Sequence, residues 1–85
     1  MIASQLINIG STKLKKMKIL SHLLDSELIL SSVLNTSREK MLITSEKKVS
    51  KNNIVDFNKL LERRSKREPM AYIFKEKEFW SKSFL

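Results

Sequence analysis

The chain has no cysteine, one glycine (Gly10), one proline (Pro69) and one histidine (His22) in 85 residues. Without cysteine there is no disulfide, no thiolate nucleophile and no thiolate-ligated zinc. Small secreted domains usually carry disulfides, so their lack counts against secretion while leaving the compartment open. One imidazole does not make a histidine metal site; His22 reads as a residue near the surface at a helix start. A single glycine leaves no Gly-rich loop to cradle a phosphate or a cofactor. No window of 18 apolar residues occurs, so no membrane span is expected. Met1-Ile2-Ala3-Ser4-Gln5 lacks a basic region followed by a continuous apolar stretch, so no signal peptide is indicated and the expected location is cytoplasmic.

What remains is one small domain. A mass of 9.9 kDa corresponds to about 60–65% of the unfolded chain's surface being buried on folding. The 41% hydrophobic share is enough to fill one modest core. A dinucleotide-type cofactor fold needs several strand–helix units, so a self-sufficient cofactor enzyme is excluded by length. Net charge is +8, and such a field attracts nucleic acid, acidic proteins or anionic membranes. Thirteen of the seventeen cations are lysine. Base readout and bidentate phosphate contacts favour arginine, so this balance reads first as a composition bias and nucleic acid is not expected as the primary partner.

Scarce Gly and Pro, with apolar residues at helical spacing, predict an all-α fold: a small bundle of four to five helices. The first helix runs from Ile2 to about Lys18, with Ile2, Leu6, Ile7, Leu14 and Met17 on its apolar stripe. Gly10 within it either admits a close neighbour or splits the segment. Ser21 can cap a second helix reaching about Leu34, with Asp25 and Glu27 near its positive end. Leu23, Leu24, Leu28, Ile29, Leu30, Val33 and Leu34 cover most of that helix, which predicts the buried centre of the bundle. Asn35 can end it. A short helix over Arg38 to Ile43, a polar connection over Glu46 to Val49, and a helix capped by Ser50 over Lys51 to Ser65 follow. The last of these carries an Ile54, Phe57, Leu60, Leu61 stripe and a charged tail to Arg67. Pro69 suits the first position of a short helix through Phe74. Residues 75–85 read as an extended segment with Phe79, Trp80 and Phe84 and no partner strand in the chain.

Catalytic chemistry is nearly absent. Ser21, His22 and Asp25 are explained by helix capping rather than by a nucleophile–base–acid set. Glu76 and Glu78 alternate with lysines as a solvated strand face does. The run Arg63, Arg64, Lys66, Arg67 serves either an acidic or RNA surface, or the helix's own C-terminus. Phe79 and Trp80 suit an apolar anchor more than base stacking. A small basic RNA- or ribosome-binding helical module is therefore one reading of the chain.

The C-terminal third supports another. Leu60-Leu61-Glu62-Arg63-Arg64, then Arg67-Glu68-Pro69-Met70-Ala71-Tyr72-Ile73, then Glu78-Phe79-Trp80, resembles the inter-domain signature of the release-factor glutamine methyltransferases. Leu24-Asp25-Ser26-Glu27-Leu28-Ile29-Leu30 is similar to that family's Leu-Asp-Ala-Glu-Leu-Leu-Leu run, and order and spacing agree from about Leu6 to Phe84. Lys75 and Ser81 stand where the family usually or often has glycine. The family's cofactor loop and its Asn-Pro-Pro-Tyr motif have no counterpart here. The resemblance implies a helical substrate-recognition domain over 1–74 and, over 75–85, the start of a linker or strand toward a methyltransferase domain that this sequence does not contain. It implies S-adenosylmethionine as cofactor of the complete enzyme, with none bound by this chain. It implies a class 1 peptide release factor and the enzyme's own catalytic domain as partners. No catalytic, cofactor or metal residue is carried over. Arg63, Arg64, Arg67, Phe79 and Trp80 are the candidate substrate or inter-domain contacts, and the aromatic segment is expected to dock on the second domain.

Overall fold

The computed structural model describes residues 1–74. The expectations for Glu76, Glu78, Phe79, Trp80, Phe84 and the 75–85 segment as a whole lie outside the described residues. The remainder is an all-α bundle: α1 (Ala3–Lys16), α2 (His22–Val33), α3 (Arg38–Ile43) and α4 (Lys51–Ser65), then a helical turn over 70–74. Pro69 sits one position earlier than expected, just outside that turn: its carbonyl accepts from the N–H groups of Tyr72 and Ile73.

α2 runs antiparallel to α1. Ser26 Oγ donates to the Ile7 carbonyl (2.8 Å), and one helical turn along, Ser11 Oγ meets His22 Nδ1 at 2.6 Å. α4 lies parallel to α1. Gly10 faces Phe57 and Leu61, Lys13 pairs with Glu62, and Arg67 donates to the Met17 carbonyl. The start of the chain is fastened beside the start of α4. Ala3 and Ser4 N–H donate to the carbonyls of Lys47 and Ser45, and Val49 N–H donates to that of Met1. The connection expected to be polar over Glu46 to Val49 thus satisfies one orphan donor of α1 through Lys47, Ser45 just before it satisfies another, and Val49 is buried. Ser37 and Ser50 cap α3 and α4 as N-cap serines do, accepting from Lys40 and Asn53 N–H.

Gly10 is resolved in favour of close approach: α1 continues through it. A Cβ there would lie 2.5 Å from Ser26 Oγ and 2.8 Å from Phe57 Cζ. With glycine spent at this crossing, the helix ends use other residues. Lys18, Asn35 and Arg67 all adopt positive φ, at 63°, 56° and 67°. At each end the residue after it donates five positions back and it donates three positions back itself, as in Ile19 N–H to Leu14 carbonyl and Lys18 N–H to Lys15 carbonyl. These are Schellman closures, and the Ile19–Leu14 step carries the usual apolar pair, both buried.

α2 packs on α1, α3 and α4 and is the central helix, but its orientation corrects the sequence reading. Leu23 and Leu24 are exposed (48% and 44%), whereas Asp25, Ser26, Glu27 and Ser31 are buried with Ile29, Leu30 and Val33. Leu28 is only half-buried. The reason is pairing: Arg64 reaches Asp25, Arg38 reaches Glu27, and Ser26 fits the space over Gly10. Leu30→Ala, a truncation at a fully buried site, is expected to cost about 3 kcal/mol. Leu28→Ala is expected to cost about 1 kcal/mol, because the side chain already meets solvent on one side. Urea titration followed by circular dichroism measures both, and equal losses would contradict this assignment of faces. Met17, expected on the apolar stripe of α1, is also exposed, as are Leu42 and Ile43, Ile43 at 84%.

Candidate interaction end of the bundle

The candidate residues gather where α4 ends against the start of α2 and the end of α1. Two forces place them there: the apolar stripe of α4 (Phe57, Leu60, Leu61, all buried) and the Schellman turn at Arg67. Arg64 Nε donates to Asp25 Oδ2 at 2.9 Å, and Arg64 Nη1 donates to the Glu68 carbonyl at 3.0 Å. The Arg64 and Asp25 side chains are 18% and 6% exposed, so this is a sheltered pair. Ser21 Oγ donates to the same Asp25 oxygen. Ser21 makes no side-chain bond to the helix backbone, which corrects the expectation that it caps α2; its hydroxyl is used by Asp25 instead.

Arg63 grips Glu68 with two donors, Nε to Oε2 and Nη2 to Oε1. The bidentate guanidinium holds the Glu68 carboxyl below the usual carboxylate range, and the carboxylate in turn raises Arg63. A depressed carboxylate stabilises the fold above its unfolded-state value and loses that contribution as pH falls through its folded value. Glu68→Gln is therefore expected to lower the melting temperature at pH 7, with the gap to the parent chain closing as pH falls below 4.5, the ordinary glutamate value. Melting curves of both chains between pH 7 and pH 3 test this; a gap that persists unchanged at pH 3 would contradict it. Glu62 is likewise lowered, by Lys13.

Arg67, the third candidate, is exposed and bonds the Met17 carbonyl at 2.7 Å. The structure thus brings Arg63, Arg64 and Arg67 together and gives each an internal partner. Together they fix residues 66–69, from which the chain leads into the 70–74 turn, where Ile73 is fully buried. Phe79 and Trp80 lie outside the described residues. Sequence reasoning missed Asp25 as the partner of Arg64, because an acid in a first helical turn has a sufficient local explanation. It also missed the apolar surface of Met17, Leu20, Leu23 and Leu24, exposed from 44% to 97%. The overlong apolar circumference of α2 was its only signal. No helix among the described residues is long and apolar enough to cross a membrane.

The family model of the PrmC N-terminal domain matches residues 5–74. The chain belongs to that family. It is similar to a bifunctional methyltransferase of Rickettsia felis, 41% identical over 81 residues, covering 95% of this chain and 15% of the relative. It is also similar to the release factor glutamine methyltransferases of two Buchnera aphidicola subspecies. That of Baizongia pistaciae is 42% identical over 76 residues, covering 89% of this chain and 27% of the relative. That of Acyrthosiphon pisum is 40% identical over 81 residues, covering 91% and 29%. The chain therefore spans between about a seventh and under a third of the length of these curated relatives. No solved structure matches it. Within the family domain, the Arg63–Glu68 and Arg64–Asp25 pairs lie in the last twelve matched residues and their partner helix.

Proposed function

We propose that this chain is the release-factor-recognition domain of a protein-(glutamine) N-methyltransferase. The complete enzyme uses S-adenosylmethionine to methylate the amide nitrogen of the Gly-Gly-Gln glutamine of a class 1 peptide release factor, in the cytoplasm. The observation that carries this reading is the family match over residues 5–74, joined to relatives named for that activity over nearly the whole of this chain. The cofactor and the chemistry belong to a catalytic domain; this chain supplies position. Arg63, Arg64 and Arg67 are inter-domain contacts in this reading. Their internal bonds support a structural duty, setting the path of residues 66–74 along the end of the bundle, with Phe79 and Trp80 docking on the second domain.

The test uses purified components. The 85-residue chain is immobilised and presented with a purified class 1 release factor at near-physiological salt, and in parallel is titrated calorimetrically with S-adenosylmethionine. Retention of the release factor and no heat of cofactor binding are expected. A folded chain that retains no release factor overturns the recognition role, and micromolar binding of S-adenosylmethionine overturns the assignment of the cofactor to another domain.

A further inference from the structure

The two cationic runs of the chain, 13–18 and 63–67, are separated by some 45 residues in sequence and meet in space. The parallel packing of α1 on α4 brings both helix C-termini to one end, and the Arg67–Met17 bond joins them there. Among the described residues, Lys13, Lys15, Lys16, Lys18, Arg63, Arg64, Lys66 and Arg67 share this end with Asp25, Glu62 and Glu68, eight cations against three carboxylates, a local excess of +5. The three arginines and Lys13 take up the carboxylates or a backbone carbonyl. Lys15, Lys16, Lys18 and Lys66 are exposed and, among the described residues, none has a carboxylate within ion-pairing distance. Beside them, Asn8, Ile9, Thr12, Lys13 and Lys16 lie exposed on one face of α1.

From this arrangement we infer that the shared C-terminal end of α1 and α4 binds the phosphate backbone of single-stranded RNA. The surface is independent of the methyltransferase reading. Helix dipoles explain cations in a last turn, but Lys18 and Lys66 stand past the helices they follow. An acidic protein surface would be met by planar bidentate arginine, and here the arginines already serve the fold. The remaining lysines are hydrated point charges on flexible stems, suited to sequence-independent phosphate contacts. The half-exposed Ile9 on the same face offers an apolar contact to a sugar or base.

The test is fluorescence anisotropy of a labelled 20-nucleotide oligouridine titrated with the chain between 50 and 200 mM salt. Each phosphate contact on a single strand contributes a slope of about 0.7, so a fourfold rise in salt weakens binding by about 2.6-fold per contact and about 50-fold for four. The variant Lys15→Gln/Lys16→Gln/Lys18→Gln/Lys66→Gln is expected to lose that share of affinity and of slope. Its control is Lys40→Gln/Lys47→Gln/Lys48→Gln/Lys51→Gln, the same charge change at the opposite end of the bundle, with affinity near the parent chain's. Should the first variant fail to fold by circular dichroism, Lys15→Gln/Lys66→Gln carries the same test at about sevenfold. Equal weakening by both sets, no binding by the parent chain at 50 mM salt, or binding to anionic phospholipid vesicles without binding to the oligouridine would each overturn the inference.

Discussion

Arg64→Ala is expected to remove about 3–5 kcal/mol of stability, the loss typical when one member of a sheltered ion pair is deleted. The guanidinium joins three parts of the molecule: the end of α4, Asp25 in the first turn of α2, and the Glu68 carbonyl in the segment that follows. Its removal leaves the Asp25 carboxylate, 6% exposed in the intact pair, with the Ser21 hydroxyl as its remaining side-chain donor among the described residues. A domain of this size has about 4–13 kcal/mol in total, so the variant stands near the edge of unfolding at 37 °C. Urea titration at 25 °C gives the loss directly. A second variant separates charge from shape: Asp25→Asn combined with Arg64→Met removes both charges and keeps most of the volume, so it is expected to be more stable than Arg64→Ala alone. Local opening gives a further readout. The Tyr72 and Ile73 amides, bonded to the Pro69 carbonyl, should exchange faster in Arg64→Ala than global unfolding accounts for. A stability loss under about 1 kcal/mol, with unchanged exchange, would show that the pair does not hold this end together.

Substitution of Gly10 is expected to destabilise even though glycine is a poor helix former. Replacing a mid-helix glycine with alanine normally gains about 1 kcal/mol. Here the new methyl would stand 2.5 Å from Ser26 Oγ and 2.8 Å from Phe57 Cζ, distances at which these side chains or the helices that carry them must shift. Overpacking of this kind costs about 1–3 kcal/mol, and displacing Ser26 also breaks its bond to the Ile7 carbonyl, worth about 1 kcal/mol more. Gly10→Ala is therefore expected to be a net loss of about 1–3 kcal/mol, and Gly10→Leu to leave no cooperative unfolding transition. Ser26→Ala in the Gly10→Ala background should restore part of the loss, since it removes the nearest atom. Thermal and urea unfolding of these three variants, of Ser26→Ala alone and of the parent chain test this. A stabilised Gly10→Ala would mean that α1 and α2 sit farther apart than described, and strict additivity with Ser26→Ala would mean that the two residues do not meet.

The helices themselves were legible in the sequence because the signals that make them are local. Ser50 opens α4 at the expected residue, Asn35 ends α2 through its left-handed backbone, and the Ile54–Phe57–Leu60–Leu61 stripe turned inward. The family was legible for a similar reason: its inter-domain signature is a run of neighbours. Less legible was what each residue does there. Arg63, Arg64 and Arg67 could be singled out as a cluster, but a run of cations looks the same whether it meets a partner or ties down its own chain.

The sequence by itself determined an all-α domain, the order and approximate ends of its helices, a core of the right size and the family it belongs to. Only the tertiary structure decided which face of α2 is inside. Periodicity selects a face when apolar residues lie on one side, and it is silent when they surround the helix, as Leu23 to Leu34 nearly do. The choice then fell to pairings made across the chain: Asp25 with Arg64, 39 residues away, Glu27 with Arg38, and Ser26 over Gly10, 16 positions earlier. A buried carboxylate needs a partner, and a close helix crossing needs an absent side chain. Both conditions are met by residues distant in sequence, so they exist only once the helices have packed.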